Sequence, residues 1–304
     1  MSVPGGPARM GGARREAGMA LVAVMWMVAA LSLLVSSLIY ATRSEIRSVQ
    51  QLRDATDAAA LGDAAIQLAA SELDRDRARA TRWHRRAYRF AGREIRVTVV
   101  PSAGLVNLNK ASPALLADLF VYAGGMRPEQ AARLAARVRA QHDRKPPPAP
   151  SDPAERHDAM RAADRQGRFD VIEDLLQVEG FSFDLFDTIQ NLITVQSPSD
   201  KIYPPAAPAG LIEVLAAGDA GVAGTFVQRR DADDPTKDTT DLKHATQAAP
   251  GDRLYRLDAE VLSSGGVLYR RSAWIDLSGP RGRLPFRLLQ VRPVRAVGAR
   301  ARRG

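Results

Sequence analysis

The strongest constraint in this sequence is an absence: no proline occurs between Pro7 and Pro101, and Gly62 is the only glycine from Met19 to Arg75. Proline breaks helices because it lacks an amide hydrogen and clashes with the preceding turn, and glycine weakens them. One helix of roughly 55 residues, about 85 Å long, is therefore allowed. Its first part, Met19 to Ala41, carries no charge; the nearest are Glu16 and Arg43. Those 23 residues would form a helix of about 35 Å, enough to cross a hydrocarbon layer of about 30 Å. A removable secretion signal has a shorter apolar core followed by a small-x-small cleavage site, whereas here helical sequence follows a longer apolar run. Beyond that run, Ile46, Val49, Leu52, Ala55, Ala59, Gly62, Ile66, Ala69 and Leu73 recur every three or four residues. They make one apolar stripe, with Arg47, Arg53, Asp54, Asp57 and Asp63 off it. A stripe this rich in alanine predicts close packing.

The rest of the chain changes period. After a basic stretch from Arg75 to Arg93, "REIRVTVV" predicts a strand from Glu94 to Val100. Next, Ser112 and Pro113 read as an N-cap and first-turn proline, Gly124–Gly125 as a helix stop, and Pro128 as the start of a second helix. The proline-broken, charged segment from His142 to Gly167 reads as a loop or short helix. "DVIEDLLQVEGFSFDLFDTIQ" then predicts a helix ending at Gly180 and another beginning near Ser182–Phe183. A third such unit is expected in "PAGLIEVLAAGDAGVAGTFVQRR", broken near Gly218. Two alternating runs, Leu254–Leu262 and Val267–Leu277, flank "SSGG" as a hairpin, and "PFRLLQVRPV" supplies another strand. The expectation is an α+β chain. Its long N-terminal helix packs on a small antiparallel sheet, into which a large all-α lobe of helix–turn–helix units is inserted.

Charge and chemistry narrow the function. The net charge is +9, but eight arginines and no acid lie between Arg281 and the C-terminus, so the remainder is close to neutral. There is no cysteine, which excludes disulfides, thiolate catalysis and Cys-ligated zinc. No Walker A, G-x-G-x-x-G, H-E-x-x-H or G-x-S-x-G sequence occurs, so an enzyme is not expected. His84, His142, His157 and His244 lie far apart in charged or loop-like sequence and read as surface residues.

Around the apolar run, Arg9, Arg14 and Arg15 precede and Arg43, Arg47 and Arg53 follow, so the positive-inside count is tied. A short basic leader ending in glycine, then an apolar helix that continues amphipathically, resembles the type IV prepilin class. That resemblance implies cleavage by a prepilin peptidase at the Gly18–Met19 bond, on the cytoplasmic side, so that the anchor survives. Most members carry glutamate as the fifth mature residue; here that position is Ala23. Lack of that glutamate, together with "GLVNLNKASPALL", "DVIEDLLQVEGFSFDLFDTIQNLITV" and "APAGLIEVL", resembles the K-type minor pseudopilin of type II secretion systems, the GspK family.

The resemblance implies a structural subunit at the tip of a pseudopilus that assists export of folded proteins from the periplasm across the outer membrane. It would be a single-pass protein of the bacterial inner membrane, with the N-terminus cytoplasmic and the C-terminal domains periplasmic, and with I- and J-type minor pseudopilins as partners. The implied domains are a leader (1–18), a transmembrane part (19–41) and a periplasmic part (42–75) of the long helix. A sheet domain (76–102 and 251–293), an inserted helical lobe (103–250) and a basic tail (294–304) complete the division. The K type is also associated with calcium, for which the acidic run offers Asp231, Asp233, Asp234, Asp238 and Asp241, although the run lacks the order of an EF-hand.

Three rivals stand beside this reading. One is an uncleaved signal anchor, and another an anchored periplasmic enzyme with an unrecognised site. The third is a membrane-anchored helix-hairpin-helix DNA-binding protein of the competence type. Against DNA, neither "GGMRP" nor "EGFSF" has the expected G-x-G turn. The second unit is also acidic, with Asp170, Glu173, Asp174, Glu179, Asp184 and Asp187, so nucleic acid is not an expected partner.

Overall fold

The computed structural model describes residues 13–90, 92–142, 167–232, 239–249, 251, 253–278 and 286–299. The side chains of 13–20, 37–48, 77–78, 142 and 298–299 lie outside that description. The chain divides into two units, Met1–Thr56 and Asp57–Gly304.

Helix α1 (Ala13–Arg75) is continuous, as the absence of proline allows. In the first unit its described side chains from Leu21 to Ser36 are all exposed. In the second unit the same helix buries Ala58, Gly62, Ala65, Ile66, Ala69, Ala70 and Leu73, spaced so that they form one face. Of the stripe, Gly62, Ile66, Ala69 and Leu73 are buried, Ala55 and Ala59 are half-buried, and Val49 and Leu52 are 49% and 70% exposed. Periodicity marks an apolar face; it does not say how far along that face a partner extends.

The second unit is built on a five-stranded antiparallel sheet. Its strands are β1 (His84–Phe90), β2 (Arg93–Pro101), β5 (Leu254–Leu262), β6 (Val267–Asp276) and β7 (Arg287–Ala299). They lie in the order β1-β2-β5-β6-β7. Ile95, Val97 and Val99 of β2 and Leu257, Ala259 and Val261 of β5 alternate inward and are almost fully buried. The β5–β6 hairpin turns at Ser263–Gly266. Its ends are joined by the Ser263 amide donating to the Val267 carbonyl at 2.8 Å.

Two boundaries differ from expectation. Strand β1 occupies part of the stretch read only as basic. It is an edge strand, and Arg85, Arg86 and Arg89 reach solvent, which hides the alternation from a hydrophobicity reading. Strand β7 runs to Ala299, into the segment expected to be a basic tail. Its register with β6 shifts three times, and Pro293 is tolerated because β7 is the other edge.

Helix α1 meets this sheet where alanine and glycine let backbones approach. A Cβ added to Gly62 would lie 2.7 Å from Cβ of Arg271 on β6. On the next residue of the helix, Asp63 accepts both arms of Arg271, at 2.7 and 3.0 Å, and the same guanidinium donates to the Arg292 carbonyl at 2.9 Å. Asp74 accepts from Arg253 at 3.0 Å, and Glu72 from the Tyr88 hydroxyl at 3.0 Å. Polar pairs on both sides of the alanine face thus set the position of the helix on the sheet.

Between β2 and β5 the chain forms the helical lobe. It contains α3 (Pro113–Asp118), continued by a wider turn at Leu119–Ala123, then α4 (Pro128–His142), α5 (Phe183–Ile189), α6 (Ala209–Leu215) and α7 (Ala220–Asp231). The turn Arg77–Ala80, which follows α1, is α2. The Ser112 and Ser182 hydroxyls accept from the amides of Leu115 and Leu185, both at 3.2 Å, as N-caps. Ile172–Gln177 is a 3-10 turn rather than the predicted helix. Val178 and Phe181 turn into the lobe core instead, where Phe181 meets Phe120 edge to face at 5.9 Å.

Two short strands, β3 (Val106–Asn107) and β4 (Ile193–Thr194), pair in parallel at the base of the lobe. Asn107 and Asn109 of "NLNKAS" are structural pins here. Asn107 accepts the Asn109 amide at 2.8 Å and donates to the Ser197 carbonyl. Asn109 accepts from the Phe169 amide at 2.8 Å and donates to its carbonyl at 3.0 Å.

Candidate functional site

Two features of the described residues offer surface for function. The first lies on α1. Leu21, Met25, Trp26, Met27 and Leu33 are each more than 70% exposed, and the neighbouring residues from Leu21 to Ser36 are exposed on every side of the helix. A globular surface rarely presents an apolar belt all round a helix, since nothing there would exclude water from it. Ala23 lies in this belt and is exposed. Among the described residues no helix is long and apolar enough to cross a membrane. The expected span, 19–41, has described side chains only from 21 to 36. Its Gly18–Met19 bond lies within the helical backbone of α1, with the Met19 side chain outside the description. Ile46 of the packing stripe also lies outside it.

The second feature is a cleft of about 690 Å³ in the second unit, where α2, the start of β1 and the end of α7 converge. Its wall is organised by Trp83. The Trp83 amide donates to the Pro205 carbonyl at 2.9 Å, fastening this segment to the lobe. The indole packs against Val100, Leu105 and Trp274. Two guanidinium groups lie over the ring, Arg230 at 4.5 Å and Arg85 at 4.9 Å from its centroid. The Arg230 side chain is 3% exposed, donates to Asp231 at 2.9 Å and also reaches the Ala207 carbonyl, so it is a fixed cation. Arg85 is exposed.

Across the cleft, Asp76 caps α2 by accepting the Arg79 amide at 3.2 Å, and it lies 3.6 Å from the Arg79 side chain, which is 60% exposed. With Arg82, the lining holds four arginines against two aspartates. His84 shares the lining. Burial pushes its imidazole below the ordinary histidine range; contact of Nδ1 with the Arg82 carbonyl at 3.0 Å opposes this, and Arg86 and Arg79 add to the lowering.

The other predicted sites resolve differently. Asp231 is paired with Arg230, Asp241 is exposed, and Asp233, Asp234 and Asp238 lie outside the described residues. No group of three potential metal ligands occurs among the described residues. His84 and His244 are half-buried rather than surface residues. His244 Nε2 lies 3.0 Å from Asp118, tying the loop after α7 to α3. His157 lies outside the described residues, as does the His142 side chain. At the "EGFSF" turn, Arg137 of α4 donates to the Glu179 carbonyl at 3.1 Å, and its guanidinium occupies the space beside Gly180 that a Cβ would need. That turn is therefore used to join helices. The cleft is not visible in the sequence, because its lining comes from stretches about 150 residues apart. The only local signal is a tryptophan set among arginines, "RWHRR".

No protein-family model matches the sequence, and a comparison with curated proteins finds no match. Among solved structures, the chain is similar to one in the crystal structure of the GspK–GspI–GspJ complex from the type 2 secretion system of enterotoxigenic Escherichia coli. The two are 16% identical, the match covers 83% of this chain and 98% of that chain, and the TM-score is 0.44. It is a loose likeness.

Proposed function

We propose that this chain is a structural minor pseudopilin of the K type, serving at the tip of a type II secretion pseudopilus. The observation that supports it most is α1 itself. One helix presents an apolar belt that none of the described residues covers, and farther along packs an alanine-rich face on an antiparallel sheet. A belt of that kind needs lipid or neighbouring helices around it, and small residues let such helices approach closely.

In this reading the peptidase cuts the Gly18–Met19 bond, and the helix then leaves the inner membrane to join a filament. Ala23 suits the first-placed subunit. A carboxylate there would need a cationic partner in the apolar layer, and alanine requires none. The lobe inserted between β2 and β5 adds bulk to the periplasmic part, which would admit further subunits only below it. I- and J-type minor pseudopilins are the expected neighbours.

The test is the N-terminal residue of the mature protein in cells that possess a prepilin peptidase. Met19 is expected there. An intact Met1 in the membrane fraction would mean an ordinary signal anchor and would remove the filament role.

A further inference from the structure

We propose that the helical lobe is hinged on the sheet: it pivots about an apolar junction near Trp83 and Tyr203, and a polar seam along β7 opens and closes. The hinge is independent of any filament role. The junction fixes one side of the boundary. Trp83 packs with Val100 and Trp274 of the sheet and with Leu105 at the base of the lobe. Ala103, Tyr203 and Ala206 form a second small apolar cluster where the chain passes from β2 into the lobe. Backbone bonds fasten both clusters. The Trp83 amide donates to the Pro205 carbonyl and the Tyr203 amide to the Ala103 carbonyl, each at 2.9 Å. Apolar burial with backbone pairing makes this side the pivot.

The seam lies farther back along β6 and on β7. There Asp187, Gln190 and Asn191 at the end of α5 face Arg270, Ser272 and Arg292 across a cavity of about 270 Å³. Its contacts are long. Arg292 Nη2 lies 3.5 Å from Glu173 Oε1, and Arg295 donates to Gln190 at 3.5 Å. Where α1 meets the sheet, by contrast, Arg271 holds Asp63 at 2.7 and 3.0 Å. A charge-assisted hydrogen bond of full strength spans about 2.7–2.9 Å, so the seam is the weaker attachment.

Closing the seam also carries a cost that opening removes. The Nε atoms of Arg270 and Arg292 are buried and have no hydrogen-bond partner. Arg270 spends a terminal nitrogen on Glu260 at 2.8 Å, which leaves its Nε unserved. The Arg292 side chain is 17% exposed. Burial pushes its guanidinium below the ordinary arginine range; Glu173 opposes this, and Arg256 adds to the lowering. A buried cation with a poor partner loses in desolvation much of what it gains by pairing. Water entering an opened seam would reach both Nε groups. Long contacts in the closed position and hydration in the open one bring the two close in free energy, which is the condition for a hinge.

The chain has no cysteine, so paired spin labels can be placed at chosen positions. The experiment is double electron–electron resonance on the full chain in detergent micelles. The seam pair is Thr188→Cys on α5 with Leu288→Cys on β7, both exposed. Thr188→Cys with Gln130→Cys on α4 gives a control distance inside the lobe. Each pair is measured with Glu173 in place and with Glu173→Gln, which removes the charge and keeps the size. The expected result is two distances for the seam pair, the longer one minor with Glu173 and enlarged about threefold or more by Glu173→Gln. The control pair should keep one distance throughout. A seam distribution that Glu173→Gln leaves unchanged would overturn the hinge. So would a change in the control pair, because the lobe would then be loosening internally instead of turning as a body.

Discussion

In most helix interiors a glycine-to-alanine change stabilises by about 0.5–1 kcal/mol, because alanine has less backbone freedom to lose on folding. Gly62→Ala should reverse that sign. The new Cβ would lie 2.7 Å from the Arg271 Cβ, 3.1 Å from its Cγ and 3.7 Å from the Ala259 Cβ. The nearest of these atoms is rooted in the backbone of β6, so it cannot swing aside. The helix must lift from the sheet, or the strand must yield. Overpacking of this kind costs about 1–3 kcal/mol.

Any lift also stretches the paired contacts of Asp63 with Arg271, which begin at 2.7 and 3.0 Å on the adjoining residue. Subtracting the propensity gain leaves a net destabilisation of about 0–2.5 kcal/mol, centred near 1 kcal/mol. Gly224→Ala in α7 is the matched control, since nothing lies within 4 Å of its added Cβ. It should stabilise by up to about 1 kcal/mol. Urea unfolding of the full chain in detergent measures both, with tryptophan fluorescence as the signal; Trp274 is buried in the sheet. If the two variants shift the midpoint in the same direction, the close approach of α1 to β6 is not what selects glycine at position 62.

Two further perturbations test separate parts of the second unit. The folded-state pKa of His84 is lowered, so the fold favours the neutral ring. Its contribution is then fully present above the unfolded value of about 6.5 and is lost as pH falls through the folded one. Wild-type stability should therefore decline more steeply than that of His84→Gln between about pH 7 and pH 5, and parallel profiles would contradict the burial argument. Asn109→Ala leaves the amide and the carbonyl of Phe169 without their buried partner. At about 1–3 kcal/mol for each orphaned group, a loss of about 2–6 kcal/mol is expected from urea unfolding. A loss below about 0.5 kcal/mol would show that water replaces the side chain freely.

Features with local chemistry are legible in the amino-acid sequence. Ser112–Pro113 and Ser182 mark helix starts because a hydroxyl one turn away satisfies free amides, and both do so. The β5–β6 hairpin is legible because two alternating runs flank a glycine turn. Strand β1 is not, because its outward face is arginine and only its place beside β2 makes it a strand. The 3-10 turn at Ile172–Gln177 has an apolar pattern as good as a helix. Its course is decided by Asn109 gripping Phe169 from 60 residues away.

The sequence by itself determined the long helix, its uncharged segment, the caps and the strand-forming runs, all of which depend on residues within a few positions of one another. Only the tertiary structure decided where the apolar stripe ends as a packed face, since that depends on the reach of β5 and β6. It alone paired Asp63 with Arg271 across 208 positions and drew Arg230 over Trp83. Contacts of that span form when loop closure is offset by burial and charge pairing together, and no local pattern encodes which arginine will meet which partner.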